Sequence, residues 1–355
     1  MPETYATILI PDISGFTEFM TTTELSHSSI AINGLIESIV NTVGEEYEVS
    51  EIEGDAVLLV KKGPAPSKKE ILDICLKIFN AFHSQQKWMQ EHTICPCHAC
   101  RTISNLSLKF VAHHGPVSEI KVGRFAKLSG PEMIVAHRLL KNSIGNNEYV
   151  LMSDKLLQHT ADSSQMHGMQ WANSSEEYSS IGKVDYSFTL LNEIRKNFPQ
   201  PAEHQSYRTD NTPYLKIPIA ANFRDVYMAV INIPGRPEWM PGLQKVEQDM
   251  PHVFIGSIHR CTFEDFQAIV SPLKMTLSND EIVYAESCLI EEKNLSLIYE
   301  YIFKKVDEDS CEVSLRFMNA NQSSIPEEIN ASLSEQMQQM AEKLKEYCKG
   351  RPSHF

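Results

Sequence analysis

The sequence has no run of about 18 apolar residues, and its N-terminus lacks the basic start and apolar stretch of an export signal. Both absences argue against a membrane span and predict a soluble, cytoplasmic protein. Basic residues are in the minority, with 32 Lys and Arg against 46 Asp and Glu and a formal net charge of -14. Such a chain repels polyphosphate backbones, so nucleic acid is not an expected partner. Any nucleotide would depend on local metal ions or helix termini.

Disulfides are not expected, because the eight cysteines occur in a chain without an export signal. Five of them are scattered and are predicted to pack as small apolar side chains. These are Cys75, Cys261, Cys288, Cys311 and Cys348.

At 355 residues the chain exceeds the usual size of one domain, so two domains are expected. Residues 195–212 are polar and contain Pro199 and Pro201, which predicts a linker there. The expected domains are therefore residues 1–194 and 213–355.

The stretch ILIPDISGFTEFM, residues 8–20, reads as a buried strand with Asp12 at its carboxyl end, followed by a turn and the start of a helix. The free N–H groups at such a helix start can hold phosphate. Aspartate is also common at turns and helix caps without any ligand, so Asp12 alone does not decide between the two interpretations.

A second acid comes from EIEGDAVLLV, residues 51–60, where Gly54-Asp55 separates two short strands. The pattern predicts a hairpin whose tip could bring Asp55 beside Asp12. Two carboxylates at that spacing can bind two divalent ions.

These blocks resemble the catalytic domain of class III adenylate and guanylate cyclases. The first signature is Asp-Ile-x-Gly-Phe-Thr, present at residues 12–17, and the second is the Gly54-Asp55 hairpin. The third is VAHHG at residues 111–115, followed by LSGPEMIVAHRLL at residues 128–140. The resemblance covers residues 5 to about 192. It implies a ferredoxin-like α+β domain. The sequence itself predicts the same β-α-β-β-α-β order, because apolar residues recur at helical spacing over residues 27–44 and again from residue 72 to about 90, with a hairpin at residues 47–60 between them and a strand near residues 106–112 after them.

The resemblance also implies a metal-nucleotide site shared between two copies of the domain, and hence a homodimer. In that site Asp12 and Asp55 would hold Mg²⁺ or Mn²⁺, and the turn after Asp12 would bind a purine nucleoside triphosphate. The implied nucleotide-binding residues of that turn are Ile13, Ser14, Gly15, Phe16 and Thr17.

Other positions depart from the family pattern. The base-selecting pair is Glu51 and Lys127, a combination that neither adenylate nor guanylate cyclases show, although the two could bond to each other. The transition-state Arg is present as Arg138, but the Asn four residues earlier is Ile134, which offers no hydrogen bond. His137 is a neighbouring polar group that could substitute only in another helix register.

Three interpretations stay open on the sequence. The first is a cyclase-like metal-nucleotide-binding domain that is catalytically weak or inactive. The second is an active nucleotidyl cyclase that makes cyclic AMP or cyclic GMP. The third is a non-nucleotide protein in which Asp12 and Asp55 are residual structure.

Between the second predicted helix and its following strand lies HTICPCHAC, with Cys95, Cys97 and Cys100 inside six residues. Three thiols this close can serve a tetrahedral Zn²⁺ site if a fourth ligand arrives from elsewhere. His113 or His114 could supply it, although both fit better in the strand and turn before Gly115. The alternative is a loop of thiols.

The second half of the sequence predicts an early strand, a helix from about Arg224, a Trp-Pro-Gly loop, strands near residues 252–263, 281–290, 295–305 and 311–319, and a long final helix. This order resembles the START-related superfamily of polyketide cyclases and lipid-binding proteins. Its helix-grip fold implies a small apolar ligand held between an antiparallel sheet and the last helix. The apolar stripe of that helix could equally be ordinary core. Its members are Ile329, Leu333, Met337, Met340, Leu344 and Tyr347.

Overall fold

A computed structural model of the chain describes residues 4–23, 25–123, 125–159, 169–196, 212–248, 253–320, 325 and 327–351. The chain divides into two compact units. The first comprises Met1–Gln90 and Cys97–Pro201, and the second comprises Glu91–Pro96 and Ala202–Phe355. Most of the predicted linker, residues 195–212, lies outside the described residues.

The described part of the first unit is built on one eight-stranded sheet. Its strands are β1 (Thr4–Ser14), β2 (Glu48–Glu53), β3 (Ala56–Lys62), β4 (Ser107–Val122), β5 (Phe125–Ser129), β6 (Tyr149–Ser153), β7 (Ala172–Tyr178) and β8 (Gly182–Leu190). They run in the order β2-β3-β1-β4-β6-β8-β7, with β5 paired to β4 outside that path.

Along the order β2-β3-β1-β4 each strand runs antiparallel to its neighbour, as a ferredoxin-like β-α-β-β-α-β unit requires. β6 then adds to β4 in parallel and β8 adds to β6 antiparallel. The predicted hairpin at residues 47–60 is confirmed by β2 and β3, with Gly54 at positive φ in the turn between them.

The helices of the first unit are α1 (Phe16–Thr22), α2 (Leu25–Val43), α3 (Lys68–His92), α4 (His98–Thr102), α5 (Pro131–Leu139), α6 (Asp154–Leu157) and α7 (Asn192–Lys196). The two long helices follow the predicted spacing of apolar residues. α2 buries Leu35 and Ile39, and α3 buries Leu72, Phe79 and Phe82. These amphipathic faces account for both helices, because burial of one apolar stripe is what stabilises a helix of this length.

The described part of the second unit is a seven-stranded antiparallel sheet in the order β10-β11-β12-β13-β14-β15-β9. Its strands are β9 (Leu215–Ile219), β10 (Leu243–Gln248), β11 (His259–Phe263), β12 (Gln267–Leu277), β13 (Glu281–Ile290), β14 (Leu295–Lys305) and β15 (Cys311–Asn319). The helices are α8 (Phe223–Ile231) and the long α9 (Glu327–Cys348), with a 3₁₀ turn at Ile233–Glu238.

The core of the second unit brings together α8, α9 and the sheet. Leu344 of α9 packs in one cluster with Val226 of α8 and Phe303 of β14. Ile329, at the start of the predicted stripe on α9, is 37% exposed and lies outside this core. All five scattered cysteines are buried, in agreement with their predicted role as small apolar side chains.

Among the described residues, none of the helices combines the length and apolarity needed to span a bilayer.

Candidate functional site

Asp12 and Asp55 lie close together in the first unit, Asp12 on β1 and Asp55 in the turn that immediately precedes β3. Asp12, near the end of β1, is paired in the ladder with Ala56, and the backbone N–H of Ile13 donates to the carbonyl of Asp55 at 3.0 Å. Asp12 is buried and Asp55 half-buried. The hairpin therefore places the second acid where the sequence predicted it.

The turn after Asp12 is shaped by Gly15, whose φ of 88° favours glycine and lets the chain pass directly into α1. Beside it the hydroxyl of Ser14 is buried, and within the described residues its Oγ has no hydrogen-bond partner. A buried polar atom without a partner costs free energy, so this hydroxyl suits a bound ligand or water. Of the remaining predicted residues, Ile13 is fully buried, Phe16 is half-buried and Thr17 is exposed.

A lysine that the sequence analysis did not single out reaches this pair. Lys109 of β4 is the cross-strand partner of Asp12, and its Nζ lies 2.9 Å from Oδ2 of Asp12. The ammonium thus forms a largely buried ion pair with one of the two predicted metal ligands. The contact of Lys109 with Asp12 depends on the register of β1 against β4, which the sequence alone does not give.

The charges of this cluster influence one another. Burial raises the pKa of the Asp55 carboxyl above its ordinary value, and the negative charge of Asp12 adds to the effect. For Lys109, burial opposes the charged form, but the charge and hydrogen bond of Asp12 outweigh it, so the pKa of the ammonium is raised. Lys109 therefore stays charged beside Asp12 at neutral pH.

The donor set fits a divalent ion such as Mg²⁺ or Mn²⁺, since two carboxylates and the Ser14 hydroxyl are hard oxygen ligands. Lys109 competes for one of these carboxylates. An ion bound here would have to share Asp12 with the ammonium or displace it.

Glu51 and Lys127, the two residues at the implied base-selecting positions, form a direct ion pair. Nζ of Lys127 lies 2.8 Å from Oε1 and 2.7 Å from Oε2 of Glu51, and 3.6 Å from Glu53. The side chain of Lys127 is 56% exposed, so the pair lies at the surface, where such contacts contribute little stability. The Glu51 carboxylate is therefore already engaged by Lys127.

The helix α5 presents the other predicted residues to an open groove. Ile134 and Arg138 are exposed and line this groove together with Glu53 and Lys127. His137 also lines it, with Nδ1 3.7 Å from the carboxylate of Glu53. The isoleucine thus occupies a solvent-facing position between polar groups.

Behind α5 lies a buried polar network that the sequence analysis missed. Nε2 of His113 lies 2.6 Å from Glu132, and its Nδ1 lies 2.7 Å from the hydroxyl of Ser153. Glu132 also pairs with Lys155. The bond to His113 is the main reason why the pKa of Glu132 falls to about 2. Since Ser153 is fully buried and caps α6, this network fixes α5 on the sheet rather than presenting a nucleophile.

The three clustered cysteines are joined by a histidine from α2. The ligand atoms of His27, Cys95, Cys97 and Cys100 all lie within 4.8 Å of one another. His113 and His114, the candidates from sequence, are engaged elsewhere, the latter with Thr7 at 2.9 Å. His27 was missed because it lies about 70 residues before the cysteines, outside any local spacing.

The second unit contains a cavity of about 90 Å³ between its sheet and α9. Most lining side chains are apolar, among them Ala268, Val270, Leu333, Met337 and Met340. Arg236 and Glu286 also line it and form a two-pronged ion pair, with N–O distances of 3.1 and 2.7 Å. Tyr284 donates to the same carboxylate at 2.7 Å. The cavity is therefore apolar with one internally neutralised charge pair.

A family model described as "Protein of unknown function (DUF2652)" matches residues 32–149. An uncharacterized protein of Mycobacterium tuberculosis, Rv2561/Rv2562, is 33% identical over 124 residues, which is 35% of this chain and 58% of that protein. The chain thus spans less than two thirds of the length of this relative.

Among solved structures, the chain is similar to several nucleotide cyclases at low identity. The guanylyl cyclase Cya2 is 13% identical, with a TM-score of 0.41 over 54% of this chain and 93% of that one. The adenylyl cyclase CyaB from P. aeruginosa is 14% identical, with a TM-score of 0.41 over 53% of this chain and 95% of that one. A guanylyl cyclase domain from Blastocladiella emersonii is 16% identical, with a TM-score of 0.38 over 54% and 98%.

Proposed function

We propose that the first unit binds a metal-nucleotide complex in the manner of a class III cyclase, with weak or no catalysis, and that the second unit binds a small apolar molecule. The protein would then act as a sensor or regulator. The nucleotide-binding part of this proposal rests on the turn of the first unit where Asp12, Asp55 and the Ser14 hydroxyl meet, the hydroxyl having no hydrogen-bond partner among the described residues. Hard oxygen ligands beside exposed backbone N–H groups suit a triphosphate with its metal.

The observation that carries the weak-catalysis part is the ion pair between Lys109 and Asp12, at 2.9 Å. A cyclase needs one metal to activate the ribose 3'-hydroxyl and a second to hold the triphosphate. A fixed ammonium on one of the two carboxylates supplies charge to a phosphate but cannot activate a hydroxyl as a metal ion does. Binding is thereby favoured over turnover.

The transition-state pair points the same way. Arg138 remains on α5 to stabilise charge on a phosphoryl group, whereas Ile134 provides no hydrogen bond. Loss of one positioned donor typically costs a factor of about 10²–10³ in rate. Together with Lys109, this substitution favours a nucleotide-binding domain with little activity.

The alternative is an active nucleotidyl cyclase that converts ATP or GTP to the 3',5'-cyclic monophosphate and pyrophosphate. The retention of Asp12, Asp55 and Arg138 in one unit favours it. In this alternative, as in the first proposal, two copies of the chain pair to complete each site. The ion pair of Glu51 with Lys127 would have to open before either residue could contact a purine base.

For the second unit, the order of its elements and the apolar cavity between its sheet and α9 support a START-like helix-grip fold with an uncharged or weakly polar ligand. The volume of about 90 Å³ limits that ligand to a small molecule unless α9 moves. The stripe residues Leu333, Met337 and Met340 would then line the binding site as well as the core.

The decisive experiment titrates the purified full chain with ATP and with GTP, with and without Mn²⁺, by isothermal titration calorimetry. The same samples are assayed for cyclic nucleotide. Metal-dependent binding without product is the expected result. Measurable product formation would replace this proposal by the active cyclase, and the absence of nucleotide binding would leave the second unit as the functional half.

Variants assign the binding to the site. Asp12→Asn and Asp55→Asn should abolish the metal-dependent part of nucleotide binding, whereas Asp73→Asn, on the exposed face of α3, should leave it unchanged. Full metal-dependent binding in both site variants would contradict the assignment.

A further inference from the structure

The segment around α4 gathers three cysteine sulfurs and one histidine nitrogen at a single point. The four ligand atoms lie within 4.8 Å of one another. Cys95 and Cys97 are buried and Cys100 is half-buried, so the group is shielded from bulk solvent. All eight cysteines are among the described residues, and none forms a disulfide.

These separations match the edges of a metal tetrahedron. With Zn–S bonds of about 2.3 Å and tetrahedral angles, neighbouring ligand atoms lie about 3.8 Å apart. Nδ1 of His27 lies 3.1 Å from Sγ of Cys97, and the remaining pairs fall under the 4.8 Å limit. Small side-chain rotations therefore suffice to close four ligands around one ion.

The backbone presents the ligands in the manner of a metal knuckle. Cys97 precedes the first residue of α4, and its sulfur accepts a hydrogen bond from the backbone N–H of Cys100 at 3.5 Å. Such N–H groups orient a thiolate and stabilise its charge. The Cys-x-x-Cys spacing of Cys97 and Cys100 places both sulfurs on one side of the turn.

We propose that His27, Cys95, Cys97 and Cys100 form a structural Zn²⁺ site. A closed Cys₃His set with no position left for water or substrate is typical of structural rather than catalytic zinc. The soft sulfur ligands select Zn²⁺ over the Mg²⁺ or Mn²⁺ of a carboxylate site.

The position of the ion explains what it stabilises. His27 belongs to α2, and α4 packs against both α1 and α2. The turn that follows α4 reaches Gly15, where an added Cβ would lie 3.6 Å from the Asn105 carbonyl and 3.6 Å from Leu106. Zinc would thus hold α4, which is too short to be stable alone, against α2 and against α1, the helix that begins at the Gly15 turn.

The test measures the metal content of the purified full chain by elemental mass spectrometry. Wild-type protein should carry about one zinc per chain. The double variant His27→Ala/Cys100→Ser should lose it. His98→Ala removes an exposed histidine of the same segment, and Cys348→Ser removes a buried cysteine of α9, and both should keep full zinc content.

A second measurement on wild-type protein removes any dependence on folding of the variants. Replacement of zinc by Co²⁺ should give the intense visible absorption of a tetrahedral site and a near-ultraviolet thiolate-to-cobalt band. Absence of zinc from wild-type protein, another metal in its place, unchanged zinc in the double variant, or cobalt binding without the thiolate band would each overturn the proposal.

Discussion

At the scale of single residues, the position of Lys109 decides how the acidic pair behaves. The lysine sits opposite Asp12 in the ladder between β1 and β4, so its ammonium has little freedom to leave. A cation about 4 Å from a bound divalent ion repels it by several kcal/mol at an effective dielectric constant of about 20. Much of this repulsion disappears if the lysine is replaced by an uncharged side chain of similar length.

Lys109→Met should therefore tighten Mn²⁺ binding by about 10- to 100-fold, measured by calorimetry on the chain without nucleotide. Lys121→Met is the matched control, because Lys121 lies on the same strand with a side chain that is 70% exposed and pairs with nearby Glu119. Equal Mn²⁺ affinity in wild type and Lys109→Met would show that the ammonium does not compete with the metal.

Gly115 is a second residue whose identity is set by a close contact. A Cβ at this position would lie 2.7 Å from Cγ of Glu132, and Glu132 cannot retreat because His113 and Lys155 hold its carboxylate. Gly115→Ala should destabilise the protein by about 1–3 kcal/mol in urea unfolding. Gly145→Ala should have little effect, because none of the described residues apart from its chain neighbours has an atom within 4 Å of the added Cβ. Similar losses in both variants would contradict the steric explanation.

The acids and the cysteines of the two candidate sites stand out in the sequence, whereas the residues that contact them do not. Asp12, Asp55 and Cys95–Cys100 lie in short motifs whose spacing is visible in the chain. Lys109 and His27 become relevant only through tertiary contacts, one through strand register and the other across about 70 residues. Residues of this kind carry no local pattern.

At the scale of elements, α3 carries a histidine buried among fixed charges. His83 is 4% exposed, its Nδ1 lies 2.9 Å from the Gln86 amide oxygen, and its Nε2 lies 3.7 Å from Glu148, which itself pairs with Arg195. Burial lowers the pKa of His83 to about 4, and the positive charge of Arg195 also opposes protonation. The folded chain therefore keeps this imidazole neutral.

This histidine makes stability depend on pH. Below its ordinary pKa of 6.5 the unfolded chain binds a proton that the folded chain refuses until about pH 4. The free energy of unfolding should thus fall as pH drops from 6.5 to 4, by up to about 1.4 kcal/mol per pH unit. Urea unfolding at several pH values should show this slope in wild type and a shallower one in His83→Asn.

His98→Asn is the control, since His98 is exposed on α4 and should retain the wild-type slope. If His83→Asn kept the full slope as well, the titration would belong to other groups.

The cavity beside α9 and β12 can be tested by filling it. Ala268 lines the cavity, so the three additional carbon atoms of Ala268→Leu have space to occupy. We expect little loss of stability and weaker binding of an apolar fluorescent probe. Ala341→Leu makes the same change in a fully packed part of α9 and should cost about 1–3 kcal/mol. Equal destabilisation, or unchanged probe binding in Ala268→Leu, would contradict the cavity assignment.

Whether an element could be predicted from the sequence depended on how regularly its apolar residues are spaced. The helices α2, α3 and α9 and the hairpin β2–β3 were predicted from clear periodicity. β12 was missed because Pro272 interrupts its pattern, and the structure accommodates the proline with a register shift between Pro272 and Lys274. β7 was missed because Ala172–Tyr178 is almost entirely polar, and it forms the last strand of its sheet. The strand expected at residues 252–263 is shorter, at His259–Phe263.

At the scale of the whole molecule, the proposed function requires two copies of the chain. Ile134 is 56% exposed on α5 beside Arg138, where a partner would complete the site. Analytical ultracentrifugation should find a dimer, and Ile134→Asp should shift it toward monomer. Val306→Asp, at a residue that is 66% exposed in the second unit, is the control. A wild-type chain that remains monomeric at all concentrations with nucleotide and Mn²⁺ bound would contradict the shared site.

The ion pair of Arg236 and Glu286 determines which kind of ligand the cavity of the second unit would bind. Among the described residues that line the cavity, only these two are charged, and each neutralises the other. A fatty acid or another anion would find no uncompensated positive charge there, so the free energy lost on its dehydration would not be offset by a new ion pair. The cavity would therefore discriminate by charge as well as by size, so that neutral compounds enter while their ionised counterparts are rejected.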